Sequence, residues 1–387
     1  MEVTVRETVF LIALASANSG IALRLVEPLL PRLATDFGVS VSIAAAVITA
    51  YSLSNAGSQL LCGPLGDRFG KCRVVTFSMM GAAAASFGCI FAWDVTSLSV
   101  MRTLTGLFTG SAFTLGMAYI GDRVPLADRQ PVIARFVAGT ISGQALGPLL
   151  GGALADWIGW RGSFAALGAI FAALSVVLLV RTGSQWAHEA KQGLLGNPFR
   201  SYLEVIRFSR VRTVLAITFL EMFLFFGAYS FLGAFLKQRF DLSLTLIGGI
   251  LAAYGVGALL FTVVVRRLLL LLGQRSMIVL GGSICFGCYV VLMLTPVWLA
   301  TVPCAVALGF AFYMFHNTIQ TKATEMSPEA RATGLALFSG SWALGQAMGV
   351  AAMGVAISVV GFAPGIIVFG AGHFVLAIWL RANLDRL

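Results

Sequence analysis

Charged residues are scarce in this 387-residue sequence, in which Asp, Glu, Lys and Arg together make up 11%. Soluble globular domains carry about 25% charged residues, so this composition excludes a cytosolic globular protein. Apolar residues make up 58%, and the mean hydropathy is +0.91. This is about the amount that 11 to 12 membrane spans of about 20 residues require. The composition therefore predicts a polytopic, all-α membrane protein.

Histidine is rare as well, with three residues, and the six cysteines lie in or beside apolar runs or next to a basic loop. The sequence contains neither a His-Glu-x-x-His nor a Gly-x-Ser-x-Gly motif. An enzyme within the membrane needs a nucleophile with a base, or metal ligands, at such spacings. We therefore expect no enzymatic activity, no metal and no cofactor, and we interpret the cysteines as packing residues.

Twelve apolar stretches are long enough to cross about 30 Å of hydrocarbon as helices. They lack the ten-residue alternation of a transmembrane β-barrel, and only helices otherwise pair every backbone group internally. The predicted spans 1 to 12 are residues 8–31, 42–65, 73–93, 97–120, 132–155, 162–181, 212–236, 243–265, 276–294, 297–319, 331–357 and 363–381.

Positive charge is distributed unequally between the two faces. Of the 26 Lys and Arg residues, Arg24 and Arg102 lie within spans, and four lie in loops on the face opposite the termini. Those four are Arg32, Arg161, Lys237 and Arg239. The remaining 20 share the face of the termini, which predicts that both termini are cytoplasmic, in a bacterial inner (plasma) membrane. Anionic lipid at that face explains the net charge of +10, so we expect membrane lipids, not nucleic acid, as partners.

The longest loop between spans divides the chain into two sets of six. We predict an N-terminal bundle at 1–182, a cytoplasmic linker at 183–211 and a C-terminal bundle at 212–387. Within the linker, apolar residues recur at the spacing of an amphipathic helix, which predicts a short helix on the membrane surface. These residues are Phe199, Tyr202, Leu203 and Ile206.

The two halves resemble each other in sequence. Gly143-Gln144-Ala145-Leu146-Gly147 recurs as Gly345-Gln346-Ala347-Met348-Gly349, at an offset of 202 residues. The basic loop at Gly70 has a counterpart at Gly273, at an offset of 203. These matches indicate a duplicated six-helix unit. Such parallel repeats are typical of alternating-access transporters, in which the substrate site lies between the halves.

Two motifs carry a resemblance to a known family. The loop after span 2 reads Gly63-Pro64-Leu65-Gly66-Asp67-Arg68-Phe69-Gly70-Lys71-Cys72-Arg73. It resembles the signature loop of the major facilitator superfamily, with Cys72 in place of the second of the family's paired bases. Span 5 is similar to the Gly-Pro motif of the superfamily's antiporters and contains Gly139, Gly143, Gly147, Pro148, Gly151 and Gly152. With Trp160-Arg161, and with Arg102 followed by Gly106, the resemblance implies the twelve-span drug/proton antiporter branch, built as two pseudo-symmetric six-helix bundles.

Each motif also has a physical interpretation. We interpret the signature loop as a gate, formed by Gly63, Gly66, Asp67, Arg68, Gly70 and Lys71. The glycines permit a tight turn, and Asp67 is placed to bind Arg68 or the N-terminus of span 11, predicted at Ser327-Pro328-Glu329. The alternative is that the basic residues only fix the topology. For span 5, close packing of small residues is the alternative to a gating role.

Ionisable residues within spans are costly in hydrocarbon and usually face a cavity. Glu27 in span 1 and Arg102 in span 4 lie at matching depth, which predicts an ion pair with Arg24 as a competing partner. Thr105 and Thr109 extend the polar face of Arg102, as a wetted cavity wall does. A static pair that serves only packing is the alternative.

Glu221 has no basic residue within span 7, so a proton or a cationic or polar substrate removes the cost of its charge. Phe225, one turn further on, provides an apolar neighbour for an amphipathic ligand. In span 10 a polar stripe contains Tyr313, His316 and Asn317, and His316 is placed to relay protons or is simply solvated.

The leading interpretation is a proton-coupled exporter of a small amphipathic molecule, expected to be a monomer that uses the proton gradient as its energy source. Glu27, Arg102 and Glu221 are the predicted coupling residues. The cavity is predicted to contain Arg24, Thr105, Thr109, Phe225, Tyr313, His316 and Asn317. A proton-coupled uptake symporter or facilitator of a small polar metabolite is the alternative. An intramembrane enzyme or a channel is a remote one, since the sequence offers no catalytic motif and no filter.

Overall fold

A computed structural model describes residues 3–186, 198–327 and 331–384, and within these ranges the chain is helical without a β-strand. Span 1 comprises Val3–Arg24, a 3-10 turn at Glu27–Leu29 and Leu30–Phe37; span 2, Val41–Ala44 and Ala46–Phe69; span 3, Lys71–Gly88 and a 3-10 turn at Cys89–Phe91; span 4, Val95–Thr109 and Ser111–Arg123. Spans 5 and 6 form Leu126–Thr182, followed by a 3-10 turn at Gly183–Gln185 and the linker helix Pro198–Ile206.

The second half repeats this arrangement. Span 7 comprises Ser209–Tyr229 and Leu232–Phe240; spans 8 and 9, Leu244–Leu294; span 10, a 3-10 turn at Trp298–Ala300 and Thr301–Glu325; span 11, Arg331–Val360; span 12, Phe362–Asn383. Eight of the described helices have the length and hydropathy of a membrane span. Two of these eight turn at Gly159 and Gly273 and are long enough, with 56 and 51 residues, to cross twice. Together with the more polar spans 2 and 4, the described helices are consistent with the twelve predicted spans.

The turns repeat between the halves, which supports the predicted duplication. In the described ranges, all six residues with a left-handed backbone conformation form three pairs at offsets of 202 or 203 residues. The pairs are Gly70 (φ 92°) with Gly273 (φ 69°), Gly159 (φ 75°) with Gly361 (φ 83°), and Gly38 (φ 65°) with Asp241 (φ 48°). The Gly70 and Gly273 turns lie at the end of the bundle that carries the linker, which we call the terminal end. The other four turns lie at the opposite end, the far end.

Close helix contacts repeat as well. A Cβ atom added to Gly143 would lie 2.0 Å from the carbonyl oxygen of Ala17, so spans 1 and 5 touch through their backbones. At the same offset of 202 residues, a Cβ atom on Gly345 would lie 2.3 Å from the carbonyl oxygen of Phe219. Only glycine permits such an approach. The repeated motif therefore fixes the same helix pair, 1 with 5 and 7 with 11, in each half.

The Gly-Pro motif of span 5 makes contacts on two sides. Gly147 and Gly151 continue the contact with span 1, since added Cβ atoms would lie 2.8 and 2.2 Å from carbonyl oxygens of that span. Gly152 faces the other half, where an added Cβ atom would lie 2.0 Å from the carbonyl oxygen of Leu244 in span 8. Asp156 then accepts hydrogen bonds from the first backbone N–H groups of span 8, at 3.3 and 2.7 Å. The motif thus joins the two halves as well as packing one of them.

The linker helix forms at Pro198–Ile206, inside the predicted linker. Its packed side differs in part from the predicted stripe, because Val205 is buried and Leu203 is 65% exposed. Tyr202 and Ile206 pack against the second half, as part of an apolar cluster with Val205. The side chain of Phe199, the fourth member of the stripe, lies outside the described part of the chain.

The close contact at Gly143 predicts a difference between two glycines of the same motif. Gly143→Ala must push spans 1 and 5 apart, so we expect the free energy of unfolding to fall by about 1 to 3 kcal/mol. Gly139→Ala is the matched control, because an added Cβ atom there meets nothing within 4 Å. Alanine is the better helix former, so this control is expected to be neutral or slightly stabilising. Thermal unfolding in detergent measures both, and equal melting temperatures would contradict the packing described here.

Candidate functional site

Spans 1 and 7 are both interrupted within the bundle. The first helix of span 1 ends at Arg24, and Pro28 in the turn that follows has no N–H group to continue it. Span 7 is interrupted between Tyr229 and Leu232. In transporters built from repeats, broken helices of this kind form the substrate and ion sites. The two interruptions therefore mark the candidate site.

A buried ion pair lies at the interruption of span 1. Arg24 Nη1 donates to Glu27 Oε1 at 2.6 Å, and the two side chains are 3% and 0% exposed. Ser230 in span 7 donates to the same carboxylate oxygen at 3.2 Å. The guanidinium carbon of Arg24 also lies 3.7 Å from the ring centre of Phe226, within range of a cation–π interaction. The pair of the first half is thus held by two side chains of the second.

Two atoms of this pair are left for other partners. Arg24 Nη2 and Glu27 Oε2 are buried and have no hydrogen-bond partner among the described residues. A buried charged group without its full set of hydrogen bonds is costly. The arrangement can therefore accept a proton on Glu27 or a polar group of a ligand at either atom.

The predicted Glu27–Arg102 ion pair is wrong. Arg102 Nη2 donates instead to the backbone carbonyl of Ala22 at 2.9 Å, and its guanidinium carbon lies 4.0 Å from the ring centre of Tyr51. Ala22 is in the last turn of its helix, where carbonyls lack an intrahelical donor, so Arg102 supplies the missing bond. Arg102 lies inside the first half, whereas Glu27 contacts span 7. Sequence spacing gives the depth of a side chain but not the rotation of its helix.

Thr105 and Thr109 lie on the same side of span 4 as Arg102, as predicted. Thr109 and Tyr51 share a hydrogen bond of 2.7 Å between their hydroxyl groups, while the hydroxyl of Thr105 donates to the Met101 carbonyl. Both threonines are buried, at 0% and 2% exposure. In this structure span 2 covers the predicted cavity wall, because Gly106 allows its backbone to approach span 4 closely.

A second buried carboxylate lies in span 7, but it is not the lone group that the sequence suggested. Glu221 Oε2 lies 3.0 Å from His316 Nδ1 in span 10, and both side chains are buried. The other oxygen, Oε1, is buried without a partner among the described residues. The His316 ring stacks on Phe312 at 5.1 Å between ring centres. This places the predicted proton carrier and the predicted relay in direct contact.

The aromatic residue beside the ion pair is Phe226, whereas Phe225 was predicted one turn from Glu221 as an apolar neighbour for a ligand. Phe225 is fully buried inside the second half, where its ring contacts Tyr229 and Phe312 among others. Phe226 points towards the first half and contacts Arg24. Neighbouring residues of a helix point about 100° apart, so this difference depends on the rotation of span 7.

The stripe on span 10 is only half-buried at two of its positions, Tyr313 and Asn317. Tyr313 stacks near Phe261 of span 8, with 6.4 Å between the ring centres. The sequence did not single out Asn18 and Gln346, two amides in spans 1 and 11. Both are buried without a side-chain hydrogen-bond partner among the described residues. Their polarity within apolar runs was the available signal.

The far end is closed above the ion pair. A Cβ atom added to Gly233 of span 7 would lie 3.0 Å from the backbone oxygen of Glu27, so the two interrupted spans are in contact there. Trp160 Nε1 also donates to Asp36 at 2.8 Å, which joins span 6 to the end of span 1. A depression of about 580 Å³ opens further out, between spans 1, 2, 7 and 12. It is lined by Pro31, Thr35, Ser40, Lys237 and Phe362 among others and lies outside the candidate site.

The signature loop is shorter than predicted. The helix of span 2 continues to Phe69, so Gly63, Gly66, Asp67 and Arg68 are helical and Gly70 alone makes the turn. Gly66 serves packing, since a Cβ atom there would lie 2.5 Å from Leu115 of span 4.

The acid of the loop binds Lys71 and not Arg68. Lys71 Nζ lies 3.3 Å from Asp67 Oδ1 and 2.6 Å from Asp122 Oδ2 of span 4. Arg68 instead has its guanidinium carbon 5.1 Å from the ring centre of Phe69. The predicted contact of Asp67 is with the start of span 11 at Ser327-Pro328-Glu329, of which Pro328 and Glu329 lie outside the described residues.

The sequence profile of the Major Facilitator Superfamily matches residues 12–350 and 214–386. The chain belongs to the Major Facilitator Superfamily. It is 29% identical over 238 residues to the MFS-type transporter YwfA of Bacillus subtilis. The matched residues are 60% of this chain and 57% of that protein. A second transporter of that organism, YceJ, is 26% identical over 275 residues, with 70% and 69% covered.

Other similarities extend the comparison. An efflux pump of Gibberella fujikuroi is 33% identical over 125 residues, which are 32% of this chain and 22% of the pump. A nucleoside transporter has the same fold with a TM-score of 0.74 at 14% identity, over 97% of this chain and 99% of its own. A bacterial homologue of the lysosomal transporter Spinster, in an inward-facing conformation, has a TM-score of 0.72 at 16% identity. The match covers 100% of this chain and 96% of that protein.

Membership of the superfamily confirms several predictions. The chain is an integral, multi-pass, all-α membrane protein with the fold of this superfamily. The named relatives are transporters and an efflux pump, and neither the family nor these relatives are enzymes. The remote alternative of an intramembrane enzyme is thereby excluded.

The buried ion pair predicts a large stability effect when one charge is removed. Glu27→Gln leaves Arg24 buried without a counter-charge, so we expect the free energy of unfolding to fall by about 3 to 5 kcal/mol. Replacing both residues, with Arg24→Met and Glu27→Leu, is expected to restore much of this loss. Thermal unfolding in detergent measures the three proteins.

Asp241→Asn is the matched control for this experiment. Asp241 pairs with Lys237 at 2.7 Å, but its side chain is 90% exposed, so its loss is expected to cost less than about 1 kcal/mol. If Glu27→Gln unfolds at the same temperature as Asp241→Asn, the Arg24–Glu27 pair does not stabilise this state.

Proposed function

We propose that this transporter exports a small amphipathic molecule in exchange for protons, by rocking of its two halves. The protein is proposed to act as a monomer in the inner membrane of a bacterium, with both termini in the cytoplasm. The proton gradient supplies the energy, and no cofactor is required. The efflux pump among the relatives is similar over about a third of this chain, which supports export.

The contact between Glu221 and His316 is the observation that carries proton coupling. The carboxylate is fully buried, one of its oxygens binds the imidazole of His316, and the other has no partner among the described residues. An ionised carboxylate in such a place is costly, and a proton shared with His316 removes the cost. A substrate that offers a positive or polar group to Glu221 has the same effect. Competition between proton and substrate for one site gives exchange.

The ion pair of span 1 connects protonation to movement. Glu27 accepts from Arg24 in its own half and from Ser230 in the other half. Protonation of Glu27 removes the charge that holds both donors, so the contact between spans 1 and 7 weakens. Since that contact closes the far end, its loss favours opening there. Arg102 is proposed to act indirectly, by holding the end of the helix that carries Arg24.

Reconstitution in proteoliposomes tests the role of Glu221. We expect the wild-type protein to move at least one of a panel of fluorescent amphipathic cations and anions when a pH gradient is imposed. In Glu221→Gln, gradient-driven movement is expected to fall at least about tenfold, because the coupling site cannot exchange a proton. Counterflow of the same compound at equal pH is expected to persist, which shows that the variant is folded and binds.

Asp241→Asn, an exposed carboxylate of the far end, is the control and is expected to retain gradient-driven movement. Gradient-driven exchange that persists in Glu221→Gln would rule out the proposed role of Glu221. Accumulation of the compound on the side towards which protons flow would identify the alternative, a proton-coupled symporter.

A further inference from the structure

A proline near the terminal end of span 2 leaves a backbone acceptor without its normal donor. Pro64 lies inside the helix Ala46–Phe69. In a helix, the N–H group of residue 64 would donate to the carbonyl of Leu60, but proline has no N–H. A carbonyl in this position needs another donor if it is shielded from water.

The linker helix supplies that donor. The hydroxyl of Tyr202 donates to the Leu60 carbonyl at 2.9 Å, across 142 residues of sequence. Tyr202 is half-buried, and burial, followed by the nearby Cys62 thiol, raises the pKa of its phenol. The phenol therefore stays protonated, and a hydrogen-bond donor, throughout the physiological pH range.

The bond joins the two halves of the transporter. Leu60 belongs to the first half, and the linker helix packs on the second through Val205, which shares an apolar cluster with Val211 of span 7 and Phe338 of span 11. Spans 2 and 11 also approach each other here, since a Cβ atom on Gly340 would lie 3.4 Å from Leu60. The hydroxyl of Tyr202 therefore bridges the seam between the halves at the terminal end.

We propose that Tyr202 is a latch that holds the terminal ends of the two halves together, by donating to the Leu60 carbonyl that Pro64 leaves free. The latch closes when the linker helix lies against span 2. It opens when spans 2 and 11 separate at the terminal end, because the linker helix stays with the second half. This role goes beyond proton coupling and rests only on the rocking of the halves, so its test needs no substrate.

Distance measurements between spin labels test the latch. One label replaces Arg123, at the terminal end of span 4, and the other replaces Thr324, at the terminal end of span 10, both of which are exposed. The native cysteines are replaced by alanine, and the labelled protein is measured in lipid nanodiscs. We expect a shorter and a longer distance, for the closed and open terminal end. Tyr202→Phe is expected to raise the ratio of the population at the longer distance to that at the shorter distance about fivefold, since one neutral hydrogen bond is lost.

The variant Pro64→Ala tests whether the free Leu60 carbonyl is the cause of the effect of Tyr202→Phe. In Pro64→Ala the helix supplies its own N–H group to Leu60, so adding Tyr202→Phe is expected to change the ratio less than about twofold. Leu203→Ala is the control on the exposed side of the same helix and is expected to leave the ratio unchanged.

The outcomes separate this proposal from the proposed function. Two distances with no effect of Tyr202→Phe would overturn the latch but leave rocking intact. An equal effect of Tyr202→Phe with Pro64 and with Ala at position 64 would also overturn it, because the free carbonyl is then irrelevant. A single distance in every variant and at every pH would overturn the rocking of the halves and the latch together.

Discussion

The Arg24–Glu27 ion pair is the interaction on which the arrangement of the candidate site depends. A charge inside a membrane protein must be paired, and these two residues pair across the interruption of span 1. Span 7 adds a hydrogen bond from Ser230 to Glu27 and the ring of Phe226 beside Arg24. The contacts that stabilise these buried charges are therefore also contacts between the two halves. A change in the protonation of one carboxylate alters the interface, and not only a local bond.

The duplication explains why the rest of the bundle can support such a site. Glycines at equivalent positions bring spans 1 and 5, and spans 7 and 11, into backbone contact, and equivalent turns connect the helices in both halves. Each half is thus packed as a rigid unit by small residues. The Arg24–Glu27 pair lies where these units meet, in contact with Ser230 and Phe226 of the second half. Backbone acceptors freed by proline or by a helix end are also bound by side chains. Tyr202 binds Leu60 at the seam between the halves, and Arg102 binds Ala22 within the first half.

Parts of the candidate site were predictable residue by residue. Glu27, Arg24, Glu221 and His316 are ionisable groups in apolar runs, and the structure places all four in buried pairs. Their partners were only partly predictable. Glu27 was expected to bind Arg102, with Arg24 as the competing partner, and Glu221 was expected to be alone. Phe226, which the sequence analysis did not single out, is the aromatic residue beside Arg24. Each difference depends on the rotation of a helix about its axis. The sequence places span boundaries only to within several residues, and this does not define the rotation.

The sequence by itself determined the class of protein, the helical spans and the internal repeat, because hydrophobic length and glycine spacing are local properties of a chain. It also determined which buried residues are costly and therefore call for partners. Only the tertiary structure decided which partners they have, where spans 1 and 7 are interrupted, and that a tyrosine of the linker binds span 2. These are contacts between residues far apart in the chain, such as Tyr202 and Leu60. They depend on how all the helices pack together, which no local pattern specifies.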